Sequence, residues 1–194
     1  MKKIKLKMDE GPKMKGRYTI TKSGIITPVQ QRLHDKIVFL KNKGEDYIKL
    51  VRELNKICDN QVWVFDNITT TVGHTMFMNN FTSTSPTNVM VVNYIALGTG
   101  DTAVAIEDTT LDTETYRNAV ASSTNATNTG YVTGFFSATE TTGTFKEAGI
   151  FSNGTGAADS GVMSSRVLLN PSTGIVKTNV ETLTVDWAIV LTDA

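Results

Sequence analysis

Apolar and polar residues alternate through the C-terminal stretch of the chain. Leu183, Val185, Trp187, Ile189 and Leu191 fall on one face, Thr184 and Asp186 on the other. This period of two is that of a half-buried β-strand. Running back to residue 88, short apolar stretches are separated by Thr, Ser, Asn and Gly. They predict strands over 89–97, 119–125, 131–138, 143–152, 161–169, 175–178 and 182–192. Asn128-Thr129-Gly130, Asn153-Gly154 and Asn170-Pro171-Ser172-Thr173-Gly174 supply turn signals between them. Seven strands at this spacing predict an antiparallel β-sandwich.

Nearer the N-terminus the apolar spacing changes to three and four. Thr27-Pro28-Val29-Gln30 reads as a helix start, with Thr27 as cap, Pro28 at the first helical position and Gln30 completing a capping box. Val29, Leu33, Ile37 and Leu40 follow, and Gly44 ends the helix. A second helix over 45–58 carries Ile48, Val51, Leu54, Ile57 and Cys58 on one side. Glu45 and Asp46 at its start and Lys56 near its end suit the macrodipole. The two predict an αα-hairpin that packs on something else, since one apolar stripe per helix is a small core. Residues 61–65 read as a strand or an extended link. Residues 68–81 are ambiguous: Ile68, Val72, Met76 and Phe77 with an Asn67 cap fit a helix, while Thr69-Thr70-Thr71 opposes it. Residues 18–26, around Tyr18-Thr19-Ile20, are β-like. Residues 1–17 read as a flexible basic arm: Ile4, Leu6 and Met8 alternate with lysines, a pattern suited to an added strand on a neighbour's sheet edge, against a disordered tail in the isolated chain. The expected fold class is α+β, with a basic extended arm (1–26), a helical hairpin or docking region (27–66) and a β-sandwich (67–194).

Charge sharpens this division. The formal net charge is zero, but residues 1–66 hold 15 Lys/Arg against 8 Asp/Glu, and residues 67–194 hold 4 against 11. The opposed halves suit head-to-tail attraction between copies, or simply a basic helical region beside an acidic β domain. Hydrophobic residues make up 40% of the chain, enough for a core once the 15 Gly are counted with them. Cys58 is the only cysteine, so no disulfide forms within the chain and nothing indicates an oxidising compartment. No run of about 18 apolar residues predicts a membrane span. Lys2, Lys3, Lys5 and Lys7 interrupt any signal-peptide apolar region.

Candidate chemistry is sparse. Gly98-Thr99-Gly100 lacks the third glycine of a dinucleotide fingerprint and reads as a turn after a strand; no phosphate-binding loop motif is present. His34 and His74 are 40 residues apart with no metal-ligand spacing around them. Asp101, Glu107, Asp108, Asp112 and Glu114 crowd one segment without the calcium-loop pattern, and no metal or other cofactor is expected. The lysine-rich arm faces an acidic domain with no basic aromatic platform, so nucleic acid is not an expected partner.

Three further stretches form a series: Asn93-Tyr94-Ile95-Ala96-Leu97-Gly98-Thr99-Gly100; Asp108 to Arg117 (Asp-Thr-Thr-Leu-Asp-Thr-Glu-Thr-Tyr-Arg); and Glu147-Ala148-Gly149-Ile150-Phe151. In this order they resemble a family of small structural proteins of tailed-bacteriophage virions, variously tail, fibre or head-associated proteins, over residues 67–194. The resemblance implies a helix over 68–81. It also implies a non-enzymatic virion component, assembled in the host cytoplasm, that forms homo-oligomers and contacts other virion proteins of the tail or neck. Capsid decoration, a head fibre, or a receptor- or glycan-binding module are the alternatives. Glu114 and Arg117 belong to the motif and read as a structural ion pair or as inter-subunit contacts; Glu147 and Arg166 read as a cross-strand pair, against ordinary surface charge as the alternative for all four. Lys2, Lys3, Lys5, Lys7 and Arg17 are the further candidate interface residues.

Overall fold

A computed structural model describes residues 13–23, 28–57, 62–169 and 173–192. Among the described residues antiparallel β-sheet dominates, with three short helices, an α+β architecture. Lys2, Lys3, Lys5, Lys7, Thr27 and Cys58 lie outside the described residues, as does the side chain of His34.

The chain opens with β1 (Lys13–Ser23), then α1 (Pro28–Asn42), α2 (Ile48–Ile57) and β2 (Val62–Asp66). β1 starts five residues before the expected β-like segment. It pairs along its whole length with the last strand, β12 (Thr182–Thr192), from Lys13 opposite Thr192 to Ser23 opposite Thr182. The polar run through Lys13, Lys15 and Arg17 disguises it as an arm, yet Tyr18 and Ile20 are fully buried. β2 pairs with the other side of β1. Its unbroken apolar run has a physical reason. Val62 and Val64 pack with Ile37, Tyr47, Val51 and Leu54 of the helical hairpin, while Trp63 and Phe65 pack on the main core. A strand covered on both faces does not alternate. α2 begins at Ile48, not residue 45, because Asp46 accepts the Ile48 amide at 3.0 Å and sets the start there.

Next come β3 (Ile68–Thr69), α3 (Thr71–Thr82), β4 (Val92–Gly98), β5 (Glu114–Ala119), β6 (Ser122–Ala126) and β7 (Thr129–Phe136). The ambiguous segment resolves into both elements. Ile68 and Thr69 pair with a later strand, and Thr70, not Asn67, caps α3 by accepting the Gly73 amide at 3.1 Å. The single strand expected over 119–125 is two. Val120 donates to Asn93 at 3.0 Å and Ala121 to Thr133 at 2.8 Å, so the chain crosses between sheets at this point.

The remaining strands are β8 (Gly143–Phe145), β9 (Glu147–Ser152), β10 (Val162–Leu168) and β11 (Ile175–Lys177). The strand expected over 143–152 breaks at Lys146, whose amide turns aside to Gly98 at 2.9 Å. One five-stranded sheet has the order β2-β1-β12-β7-β6, the other β3-β10-β9-β4-β5, and β8 pairs with β11. The first sheet thus joins strands from both sides of the boundaries expected at residues 26 and 66. One hydrophobic cluster draws on both large sheets, with Tyr18, Ile20, Phe136, Leu183 and Val185 from the first and Ile95, Leu97, Ala148 and Ile150 from the second. Each such Ile, Leu, Val or Phe side chain removed from water contributes roughly 1.5–3 kcal/mol before the entropic cost of ordering it. Among the described residues, two ion pairs join the basic and acidic halves within the chain: Lys22–Glu181 and Lys41–Asp186, both at 3.0 Å.

Candidate functional site

β9 is buried at every position, and its first residue is a glutamate. In that interior Glu147 meets a full set of hydrogen-bond donors. Its carboxylate accepts the amides of Gly100 (3.1 Å), Asp112 (3.0 Å) and Thr113 (2.8 Å), and Nε of Arg166 (2.9 Å). Arg166, on β10, stands diagonally opposite on the same sheet face, since Gly149 faces Arg166 and Glu147 faces Leu168. Its guanidinium continues to Asp108 at 2.7 Å and to the carbonyl and hydroxyl of Thr102. Burial works to lower the Arg166 pKa; Asp108 and Glu147 outweigh it and raise it. The segment between β4 and β5 is therefore clamped over the sheet by a buried ionic network. The Ile106 carbonyl carries the clamp on to α3 by accepting the Thr71 amide at 2.7 Å.

Gly98 and Gly100 have a role beyond a turn. A Cβ on Gly98 would stand 2.4 Å from Oε1 of Glu147, and one on Gly100 2.6 Å from the same oxygen. Both positions are bare so that the carboxylate can reach the loop amides.

Glu114 and Arg117 form a second network on β5. Residues three apart point to opposite faces of a regular strand. Here Leu97 faces Tyr116 while Gly98 faces Glu114, so a bulge at Thr115 brings Glu114 and Arg117 to one face. Their pairing is bidentate, with both contacts at 2.6 Å, and the side chains are 1% and 3% exposed. Nη1 of Arg117 also donates to the carbonyls of Thr155 and Ser160 and to the Ser160 hydroxyl. The guanidinium lies 4.5 Å from the Phe151 ring centroid. This pair pins the loop between β9 and β10. Thus Glu114, Arg117, Glu147 and Arg166 are buried structural charges, not surface ones.

No protein-family model, curated protein or solved structure matches this chain.

The other sequence candidates scatter. Arg17 pairs with Asp66 at 3.0 Å on an exposed part of β1 and β2. His74 is exposed on α3. The five acids of 101–114 do not converge: Asp101 pairs with Lys146 at 2.8 Å, which lowers its pKa, while Asp108 and Glu114 serve the two arginines. Among the described residues, no group of three or more His, Cys, Asp or Glu is placed to hold a metal ion.

Sequence reasoning missed Lys177. Its ammonium is buried and donates to the carbonyls of Ala138 (3.3 Å), Thr141 (2.7 Å) and Thr178 (3.4 Å), and burial lowers its pKa against the pull of Glu140 and Glu181. A signal existed, since only two lysines follow residue 66. Two surface depressions lie among the described residues. One, of about 300 Å³, is lined by Thr75, Asn79, Thr87, Asn88 and Thr109 around Met76 and Met163. The other, of about 320 Å³, is an apolar groove floored by Trp187, Ile189 and Leu191.

Proposed function

We propose that the chain is a non-enzymatic structural protein of a tailed-bacteriophage virion. In this reading its two large sheets make an antiparallel β-sandwich that self-assembles, and the basic N-terminal residues dock it to neighbouring tail or neck proteins. The observation that carries the reading is that all three stretches of the resemblance converge on the two buried networks. Gly98, Gly100, Glu114, Arg117 and Glu147 are spent on holding loops in place. Residues committed in this way suit a part whose task is a fixed shape presented repeatedly to identical neighbours. The opposed charges of the two halves add a long-range attraction, screened by salt.

The test of self-assembly is the mass of the purified full chain by light scattering at low and high salt. A discrete oligomer at low salt is expected, and the mass at high salt reads the share that charge contributes. A single-chain mass at both salts overturns self-assembly. Docking is tested separately by replacing Lys2, Lys3, Lys5 and Lys7 with Gln, which removes charge and keeps the apolar residues between them. Loss of incorporation into particles is expected; normal incorporation overturns docking by charge.

The alternative of a glycan-binding module is favoured by one observation, the depression rich in Asn and Thr beside α3. Amide and hydroxyl side chains over an apolar floor suit sugar hydroxyls and ring faces. A glycan array probed with the full chain tests it, and no hit overturns it.

A further inference from the structure

The chain contains one Asn-Gly pair, Asn153-Gly154, between β9 and β10. The fold asks for both residues. Asn153 has a φ of 54°, a left-handed conformation that asparagine tolerates better than most residues. A Cβ at position 154 would lie 3.1 Å from the Ser160 carbonyl oxygen and 3.2 Å from Nη1 of Arg117, so a glycine there lets the second network close. This pairing carries a chemical hazard. With glycine in second place, no side chain hinders attack of its nitrogen on the asparagine carboxamide. A bond then forms between that nitrogen and Cγ, the Cγ–Nδ2 bond breaks, and ammonia leaves with the amide proton. Water opens the resulting succinimide at either carbonyl, giving aspartate or isoaspartate. Asn153 is exposed, so water reaches it.

The groups that would react are tied down. The Gly154 amide, the attacking nitrogen, donates to Oδ1 of Asn93 at 3.0 Å, and Nδ2 of Asn93 donates back to the Gly154 carbonyl at 2.9 Å. Nδ2 of Asn153, the leaving group, donates to the Val89 carbonyl at 2.9 Å. Asn93 reaches Gly154 through an irregularity in β4. Val92 faces Ser152 and Tyr94 faces Phe151, so Asn93 has no partner of its own on β9. A bulge of this kind re-aims a side chain. We propose that Asn153 is a latent deamidation site and that Asn93 holds it closed. The attacking nitrogen must shed its proton and swing onto Cγ. While Oδ1 of Asn93 accepts that proton, ionising the nitrogen sets a negative charge against an acceptor oxygen. Ring closure therefore waits on a local opening in which the bonds of Gly154 and Asn153 break together. The reaction then leaves a lasting mark. An aspartate carboxylate at 153 has no N–H for the Val89 carbonyl, and isoaspartate lengthens the backbone by one atom at the turn. Either product costs the loop between β9 and β10 its tie to Val89.

The test follows the amide-to-acid mass change of the peptide holding residue 153, in the full chain kept at mildly alkaline pH. The parent unfolded in guanidinium chloride supplies the rate of an unguarded site. The folded parent is expected to convert at least about tenfold more slowly, because three hydrogen bonds must open first. Asn93→Ala, shown to be folded by circular dichroism, is expected to lose most of this difference. Asn93→Asp keeps an acceptor for the Gly154 amide and is expected to stay slow, which keeps the test decisive where the alanine variant fails to fold. A folded parent that converts at the unfolded rate overturns the guarded site. A folded Asn93→Ala variant as slow as the parent overturns the role of Asn93, as does an Asn93→Asp variant as fast as the unfolded chain.

Discussion

Glu147 and Arg166 lie 2.9 Å apart across β9 and β10, with side chains 0% and 2% exposed. A buried ion pair of this kind gains little over an apolar pair of the same shape, but breaking it leaves the surviving charge stranded. Glu147 also satisfies three loop amides, so its loss removes more than one partner. Glu147→Gln is expected to destabilise the fold by about 3–5 kcal/mol, read as a lower midpoint in urea unfolding with an unchanged slope. An unchanged midpoint would show that the network does not hold the loop.

The same carboxylate dictates the two glycines before it in the chain. Gly98→Ala drives a methyl group toward Oε1 of Glu147 and the Thr113 carbonyl, at 2.4 and 2.6 Å. Neither neighbour is the free end of a flexible side chain, since Glu147 is fixed by its donors. The substitution is expected to cost about 1–3 kcal/mol, as overpacking does. Thermal unfolding of the variant checks it, and a melting temperature equal to the parent's would refute the close-approach argument.

How much of this was legible depends on where the physical cause lies. The alternation from Leu183 to Trp187 reports a strand with one buried face, and the structure buries those three odd-numbered residues. The helical hairpin announces itself through Ile37, Val51 and Leu54, all buried in the hairpin's own cluster. Glu114–Arg117 and Glu147–Arg166 were readable as pairs because opposite charges stood out in a chain segment with few cations. Their further partners were not. Gly100, Asp112 and Thr113 lie 47, 35 and 34 residues before Glu147, and only the folded loop brings their amides to it. β1 was partly hidden because lysines stand at positions 13 and 15, Lys15 being exposed, and propensity cannot see that β12 would run beside them.

Arg117 makes a prediction about chemical identity more than charge. Its flat guanidinium gives Glu114 two parallel hydrogen bonds and gives Ser160 and Thr155 the remaining donors. A lysine ammonium is a point charge and cannot reproduce that fork. Arg117→Lys is therefore expected to destabilise by about 1–3 kcal/mol and to raise hydrogen exchange selectively in the loop between β9 and β10. Uniform exchange across the chain would refute the local clamp.

Tyr18 links the two large sheets and sets the response to alkali. It sits on β1, is fully buried, and donates to the carbonyl of Ser165 on β10 at 3.5 Å. Burial pushes its pKa well above the ordinary phenol value of 10.0, more than the hydrogen bond to Ser165 lowers it. Below about pH 10 both folded and unfolded chains keep this proton, and Tyr18 adds no pH dependence. Above it the unfolded chain releases a proton that the folded chain retains, so stability falls as pH rises, by up to about 1.4 kcal/mol per pH unit for this one group. Tyr18→Phe keeps the ring and removes the titration. Its stability is expected to lie within about 1 kcal/mol of the parent near neutrality and to decline less steeply above about pH 10. Urea unfolding of both proteins across the alkaline range checks this, and equal slopes would mean that another group, not Tyr18, governs alkaline unfolding.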